Sequence, residues 1–327
     1  MNPEVILGLA RNFMESRILL TGAELDLFTL LTPVPLPAEE VAARIGADLR
    51  AVTILLDALA AMGLLVKQAG KYHCPPPISP FLSAKASNPI LPMILHMAHV
   101  WERWAGLTSI VKGFRAREKP TAPAQDAEEL RAFIGAMHAI AAQFAPRIVA
   151  AVSPGQSRHL LDVGGGLGTY MLAFLQAVPE MRGTLFDRPA VIEMARERLS
   201  EAGVLDRVRL VSGDFYEDEF PAGHDLAFIS AIIHQNSLEQ NLDLFRKVFR
   251  ALTPGGRIVI RDHVMASDRT RPKDGAIFAV NMLVGTSGGN TYTYDEIQYG
   301  LTRAGFIRVR LLQSGEHMDG LVEGFKP

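Results

Sequence analysis

Apolar positions recur with two different periods along the chain, and the period changes near residue 157. From residue 4 to residue 31 the spacing is helical, which predicts helices with a break at Thr21-Gly22. After residue 157, short apolar runs alternate with helical patterns, which predicts an α/β fold: a doubly wound, mostly parallel sheet with its ligand at the carboxyl ends of the strands. Strands are predicted at 159–163, 183–186, 208–211, 225–229 and 257–260, helices near 170–178, 189–202 and 238–252, and a last strand or pair at 306–312.

The N-terminal part combines short helices with a hairpin pattern. Helices are predicted at 41–45 and, after the capping residue Asp48, as far as residue 62, and residues 64–73 then predict a hairpin around a polar turn. This order is typical of a mainly helical winged-helix domain. The second helix carries Arg50 as its basic residue and two aspartates, which disfavours contact with a phosphate backbone. We therefore expect this domain to serve packing or dimerisation.

A segment rich in charges and prolines, residues 115–126, is the predicted connector between two domains. Helical patterns flank it, and the following helix is expected to start at a capping Asp126 and to end near Pro146. The predicted domains are residues 1–115 and residues 116–327, the second including the lead-in helix 126–146.

Composition narrows the functional classes. With 48% hydrophobic and 21% charged residues and a net charge of -2, the chain has no electrostatic basis for nucleic acid or an anionic membrane as a partner. The single cysteine, Cys74, cannot form an intramolecular disulfide. The uncharged stretches 86–101 and 275–294 are interrupted by proline and histidine or are rich in small polar residues, so neither predicts a membrane span. We expect a cytoplasmic protein.

A glycine-rich turn follows the first predicted strand of the second domain. Its pattern is D-x-G-x-G-x-G, from Asp162 through Gly164 and Gly166 to Gly168. Glycines let a ligand approach the backbone, and the N–H groups that open the next helix can bind an anion. The dinucleotide-binding pattern would require Gly or Ala where Thr169 stands. A tight turn that binds no ligand is the structural alternative.

Acidic residues follow the next two predicted strands. Asp187 lies about twenty residues beyond the glycines, where a carboxylate can accept hydrogen bonds from both ribose hydroxyls, although it could instead cap the next helix. Asp214 could accept a hydrogen bond from an adenine amino group, and Phe215 could pack against the ring. Three successive strand ends thus predict one adenosyl ligand.

The glycine string resembles the first motif of S-adenosylmethionine-dependent methyltransferases, whose Rossmann-like domain binds the methionine end of this cofactor there. Nearly the whole chain resembles the small-molecule O-methyltransferases that include plant caffeic-acid and bacterial polyketide enzymes. The winged-helix unit resembles that family's dimerisation domain, which implies a homodimer. Residues 251–257 resemble the turn before its fifth strand, and Gly288-Gly289 its late glycine pair. Ser230 falls among the implied cofactor contacts.

The resemblance assigns the catalytic base to His234 and an orienting carboxylate to Asp262. A neutral imidazole suits removal of a phenol proton near pH 7 and could contribute roughly 10²–10⁴-fold. The family usually has Asp where this chain has Gln235, and a second carboxylate where it has Thr291. C- or N-methylation therefore stays open, as does a relative that binds the cofactor without methylating, of the decarboxylase or hydroxylase type.

For the acceptor, the resemblance implies an aromatic and methionine-rich pocket suited to a planar aromatic molecule, although each residue could equally belong to the core. His96 and His99 lie three residues apart without a carboxylate or cysteine at metal-binding spacing, so no metal is expected. A winged-helix transcription regulator is the alternative from another class. The pocket candidates are Trp101, Phe133, Met137, Met282 and Thr286, with His138 as a further polar contact.

Overall fold

The computed structural model describes residues 2–86, 90–114 and 127–327, with the side chains of residues 127–129, 131–133, 136 and 139 left out. The predicted connector 115–126, with the proposed cap Asp126, lies outside the described residues. The chain divides into two compact units, Met1–Ala105 with Gly135–Ala139 and Gly106–Ile134 with Ile140–Pro327. None of the helices in the described ranges is long and apolar enough to cross a membrane.

The first unit is mainly helical around an apolar core that includes Phe28, Leu56 and Tyr72. The predicted order of helix, turn, helix and hairpin is present, and Asp48 caps its helix by accepting a hydrogen bond from Ala51 N at 2.8 Å. Strands pair antiparallel in the order β1-β3-β2. The elements are α1 (Pro3–Arg11), α2 (Phe13–Glu24), α3 (Leu27–Leu30), β1 (Leu36–Pro37), α4 (Ala38–Ile45), α5 (Leu49–Ala61), β2 (Val66–Gln68), β3 (Lys71–His73), α6 (Ser79–Leu82) and α7 (Leu91–Trp104).

Gly22 lies inside α2, so the helix break predicted at Thr21-Gly22 is wrong. A Cβ atom on Gly22 would lie 3.1 Å from Leu59 Cδ1 and 3.3 Å from the ring of Phe28. The glycine therefore permits close packing of α2 against its neighbours, which outweighs its low helix propensity.

The second unit is built on a mostly parallel sheet, which confirms the predicted fold class. Within the described residues the sheet has seven strands in the order β11-β12-β8-β7-β4-β5-β6, and β12 is antiparallel to both of its neighbours. The elements are α8 (Leu107–Val111), α9 (Ala127–Val152), β4 (His159–Val163), α10 (Thr169–Ala177), β5 (Arg182–Asp187), α11 (Pro189–Glu201), β6 (Val208–Ser212), β7 (His224–Ser230), α12 (Leu238–Ala251), β8 (Leu252–Asp262), β9 (Val264–Met265), α13 (Lys273–Gly285), β10 (Tyr292–Thr293), α14 (Tyr294–Arg303), β11 (Ile307–Gln313) and β12 (Gly320–Phe325).

Side chains alternate between the two faces of the sheet and produce two cores. Along β7, Leu226 and Phe228 join a core with α9, α10 and α11, whereas Ala227 and Ile229 join a core with α12 and α14. Because the inner strands are covered on both faces, they are apolar almost throughout. Several of their polar residues lie at the strand ends, among them the candidate site residues Asp162, Asp187 and Asp262.

Helix α9 continues through Pro146, so the predicted end of the lead-in helix at that residue is wrong. Ala145, Ile148, Val149 and Val152 are all buried in the core beneath the helix. Burial of these apolar side chains offsets the backbone hydrogen bond that proline cannot make.

Candidate active site

The glycine turn joins β4 to α10 and is tied to β5 beside it. Gly164 N donates a hydrogen bond to Phe186 O at 2.8 Å, and Gly166 N donates to Asp187 Oδ2 at 2.8 Å. Gly166 has φ +55, and a Cβ atom there would meet no heavy atom within 4 Å. The turn thus offers an open cradle of backbone at the start of a helix, where a ligand can approach closely.

Asp162 is a buried carboxylate at this turn, with 1% of its surface exposed. Its Oδ2 atom has no hydrogen-bond partner among the described residues. Burial, reinforced by the charge of Asp187, raises the pKa of Asp162 to about 7. An orphaned buried oxygen of this kind fits a cationic group, such as the ammonium group of a methionine moiety.

Asp187 ends β5, next to the turn. Its Oδ2 accepts from Gly166 N and its Oδ1 accepts from Arg188 N, both at 2.8 Å. The helix-cap alternative is wrong, because Arg188 occupies the N-cap of α11 and no side chain makes the capping bond. A carboxylate has about four acceptor sites, so Asp187 retains capacity for two further donors, as two ribose hydroxyls would require.

Asp214 and Phe215 follow β6, the strand beside β5. Asp214 is exposed, and its Oδ1 accepts from Tyr216 N at 2.9 Å. Phe215 is half-buried, and its ring centroid lies 4.5 Å from that of Tyr216. The register Val163↔Phe186 and Asp187↔Ser212 places the three acidic strand ends side by side on one edge of the sheet.

His234, which follows β7, forms a buried pair with Asp262, the last residue of β8. The Nδ1 atom lies 3.0 Å from Oδ1 and 2.9 Å from Oδ2 of Asp262. Burial alone would raise the pKa of Asp262, but the charge and hydrogen bond of His234 and the donated His263 N–H reverse this and lower it. Because an ionised carboxylate can only accept, Nδ1 carries the proton, and Nε2 is the basic nitrogen available to a substrate.

The backbone around His234 is closely packed. Ala231 adopts a left-handed φ of 57 between the end of β7 and His234, and its N–H donates to Arg261 O at 2.8 Å. Asn290 N donates to His234 O at 2.8 Å, and a Cβ atom on Gly289 would lie 2.6 Å from that same oxygen. The glycine at position 289 is therefore required by the close approach of the two backbones.

An aromatic neighbour of His234, Phe278, has no signal in the local sequence. The ring of Phe278, on α13, lies 4.9 Å from the imidazole of His234 at an interplanar angle of 87°. The ring of Phe278 also lies 5.2 Å from the buried imidazole of His263. No local pattern marks Phe278, although His263 directly after Asp262 is a visible signal.

The acceptor candidates occupy several elements. Met282, on α13, is buried. Thr286 follows that helix, donating to Met282 O and accepting from Gly289 N, both at 2.8 Å, so its hydroxyl shapes the turn toward His234. Trp101 and His138 are half-buried and Met137 is exposed, all in the first unit. Phe133 belongs to α9, and its side chain lies outside the described part of the structure.

The two departures from the family pattern lie close to the base. Gln235 is half-buried directly after His234, and Thr291 is 2% exposed with its N–H donating to Asn290 Oδ1. Asp262 is the carboxylate that contacts His234. In the described ranges, no group of three His, Cys, Asp or Glu residues is arranged to hold a metal ion.

Comparison with known proteins agrees with this geometry. Residues 111–307 match the O-methyltransferase domain, and residues 7–76 match the O-methyltransferase dimerisation domain. The tetracenomycin polyketide synthesis 8-O-methyl transferase TcmO of Streptomyces glaucescens is 32% identical, over 99% of this chain and 97% of that protein. The 3-hydroxy-5-methyl-1-naphthoate 3-O-methyltransferase of Streptomyces sahachiroi is 29% identical, over 99% and 95%.

Solved structures give the same result. The structure of PigF with SAH has a TM-score of 0.88 and 25% identity, covering 100% of both chains. LaPhzM has a TM-score of 0.87 and 27% identity, covering 99% of each chain. The chain described here therefore belongs to the O-methyltransferase family and is an S-adenosylmethionine-dependent methyltransferase.

Proposed function

We propose that this enzyme methylates a phenolic hydroxyl of an aromatic small molecule and that His234 is its general base. The observation that carries the proposal is the buried contact of His234 Nδ1 with both oxygens of Asp262. A histidine held in this tautomer presents a basic Nε2 atom. A phenol has a pKa near 10, so removal of its proton near pH 7 benefits from such a base.

In this mechanism the proton moves from the acceptor hydroxyl to His234 Nε2. Asp262 stays ionised and stabilises the imidazolium, as its lowered pKa supports. One orienting carboxylate suffices, so Gln235 and Thr291 need supply no charge. When bound, the cofactor supplies an electrophilic methyl group on a sulfonium, and the protein contributes alignment and proton removal.

The cofactor would be held along the acidic strand ends. Asp162 would receive the ammonium group, Asp187 the ribose hydroxyls, and Asp214 with Phe215 the adenine. Ser230, at the end of β7, belongs to the methionine end. The orphaned Oδ2 of Asp162 and the open cradle at Gly166 support this arrangement.

An aromatic acceptor is supported by two observations. The enzyme's relatives include a 3-hydroxy-5-methyl-1-naphthoate 3-O-methyltransferase and a phenazine O-methyltransferase, whose names denote aromatic substrates. Phe278 and Met282 lie on one helix, and Phe278 contacts the ring of His234. The remaining candidate contacts for the acceptor are Trp101, Phe133, Met137, His138 and Thr286.

The test is incubation with methyl-labelled cofactor and a panel of phenols, quinones and polyketide-like aromatics, with mass spectrometry to locate the label. His234→Ala should lower kcat by roughly 10²–10⁴-fold while S-adenosylhomocysteine binds unchanged in calorimetry. His317→Ala is the matched control, because His317 also pairs with a carboxylate, Asp274, but is exposed. Unchanged turnover of His234→Ala at saturating acceptor would refute the general base, and label on carbon or nitrogen would refute the acceptor.

We further propose that the enzyme is a homodimer that covers α1. This helix has no buried residue. Val5 and Leu9 in α1 are 50% and 57% exposed, and Phe13 at the start of α2 is 49% exposed. A row of large apolar side chains is unfavourable in water and suits an interface between copies, as the matched dimerisation domain supports. Light scattering at micromolar concentration should give twice the mass of one chain, and a monomer would refute the proposal.

A further inference from the structure

A second group of polar side chains lies beside the glycine turn, and two of its members, Arg261 and Tyr170, have no role in the mechanism above. Arg261 on β8 pairs in register with Ser230 on β7, and its Nη1 donates to Ser230 Oγ at 3.1 Å. Its guanidinium carbon lies 5.5 Å from the ring centroid of Tyr170, on α10. These three residues form what we call the arginine cluster, located at the same strand ends as Asp162 and His234.

The arginine cluster contains a donor that the protein leaves unused. Arg261 Nε is buried without a hydrogen-bond partner among the described residues. Within those residues Arg261 also has no ion pair, whereas Arg257, on the same strand, pairs with Glu323 at 2.8 Å. A buried donor without a partner on an unpaired cation costs free energy unless a ligand with acceptor oxygens satisfies it.

The geometry of the Arg261 guanidinium favours a carboxylate as its ligand. Its Nη1 atom donates to Ser230, which leaves the edge formed by Nε and Nη2 for a ligand. Two parallel N–H groups on such an edge match the two oxygens of a carboxylate. The cation–π contact with Tyr170 holds the guanidinium in place. A single ligand whose ammonium group meets Asp162 and whose carboxylate meets Arg261 would satisfy both orphaned groups.

We propose that Arg261, held by Ser230 and Tyr170, binds the carboxylate of the cofactor's methionine end. Asp162 and Arg261 then recognise an amino acid by both of its charges. This inference depends on the cofactor of the family and is independent of the acceptor and of the base.

Truncated ligands provide the test, by calorimetry on the full chain without acceptor. The wild type should bind S-adenosylhomocysteine about 10- to 100-fold more tightly than its decarboxylated analogue, which keeps the adenosyl group and the amine. Arg261→Gln should reduce that preference to about twofold or less. It should leave the affinity for 5′-methylthioadenosine, which lacks the whole amino acid, within about twofold.

Matched variants separate recognition from structure. Arg261→Lys should recover part of the preference, and Arg246→Gln, which changes an exposed arginine on α12, should keep all of it. Should Arg261→Gln not fold, Ser230→Ala and Tyr170→Phe each remove one hydroxyl and should lower the preference about three- to fivefold. Equal loss of affinity for all three ligands, or an unchanged preference for the carboxylate, would overturn the proposal.

Discussion

Asp162 and Asp262 are two carboxylates that are each 1% exposed, near the ends of β4 and β8, but their surroundings differ. Asp262 meets His234 Nδ1 and the His263 N–H, and its pKa is lowered. Asp162 has an oxygen without a partner in the part of the chain that the structure describes, and burial raises its pKa to about 7. Burial is therefore the same for both residues, and the partner determines whether the charge is stable.

The difference separates two functions. The Asp262 site is complete in the protein alone, so the imidazole is oriented before any ligand binds. Among the described residues no cation pairs with Asp162, so binding of a ligand that supplies one lowers the free energy of this site. A pair that is already oriented, such as His234 with Asp262, is typical of a catalytic site, whereas an unsatisfied buried charge, such as Asp162, is typical of a binding site.

The largest effect is expected from Asp262→Asn. An amide can donate to Nδ1 and thereby favour the tautomer that protonates Nε2, which cannot accept the phenol proton. We expect kcat to fall roughly 10²–10⁴-fold with little change in the affinity for S-adenosylhomocysteine. Asp274→Asn removes the carboxylate of the exposed His317 pair and should leave kcat within about twofold. A similar kcat for both variants would show that the buried pair has no special role.

Asp162→Asn should act on cofactor binding instead. In the wild type the affinity for S-adenosylhomocysteine should fall as pH decreases from 8 to 6, by up to about tenfold per pH unit. The reason is that protonation of the Asp162 carboxylate near pH 7 removes the negative charge that meets the ammonium group. Calorimetry in buffers of different ionisation enthalpy should detect proton release on binding at pH 7. The variant should bind about tenfold more weakly at pH 8 and release no proton, whereas the exposed Asp243→Asn should behave as wild type. A pH-independent wild type would contradict the assignment.

The same variant should be more stable without ligand. The pKa of Asp162 is higher in the folded state than its ordinary value of 3.8, so the folded protein binds more protons between these values and loses stability as pH rises through that window. Removal of the charge should raise the free energy of unfolding at pH 8 by about 1–3 kcal/mol. Denaturant unfolding at pH 8 measures this, and a less stable variant would show that the ionised Asp162 is already satisfied.

The sequence alone predicted the sheet and the acidic strand ends, since both follow from local patterns. Strands that are buried on two faces appear in the sequence as continuous apolar runs, and the glycine turn appears as glycines at a fixed spacing after a strand. The helix break predicted at Gly22 and the helix end predicted near Pro146 are both wrong. Packing of α2 against Leu59 outweighs the low helix propensity of glycine, and burial of Ile148 outweighs that of proline. No local pattern marks Arg261 for a related reason: its partners Ser230 and Tyr170 are distant in sequence and contact it only in the folded protein.

The smallest effect is expected from Phe278→Leu, which tests how far the orientation of His234 depends on packing in addition to Asp262. The phenyl ring meets the imidazole of His234 nearly at a right angle and also contacts the imidazole of His263. Leucine fills less of that space, so the imidazole can tilt while its bond to Asp262 persists, and kcat should fall about three- to tenfold. Phe278→Tyr should keep most of the activity, and Ile277→Ala, an exposed neighbour on α13, all of it. If Phe278→Leu changed only KM for the acceptor, Phe278 would be a substrate contact, and Asp262 alone would orient the base.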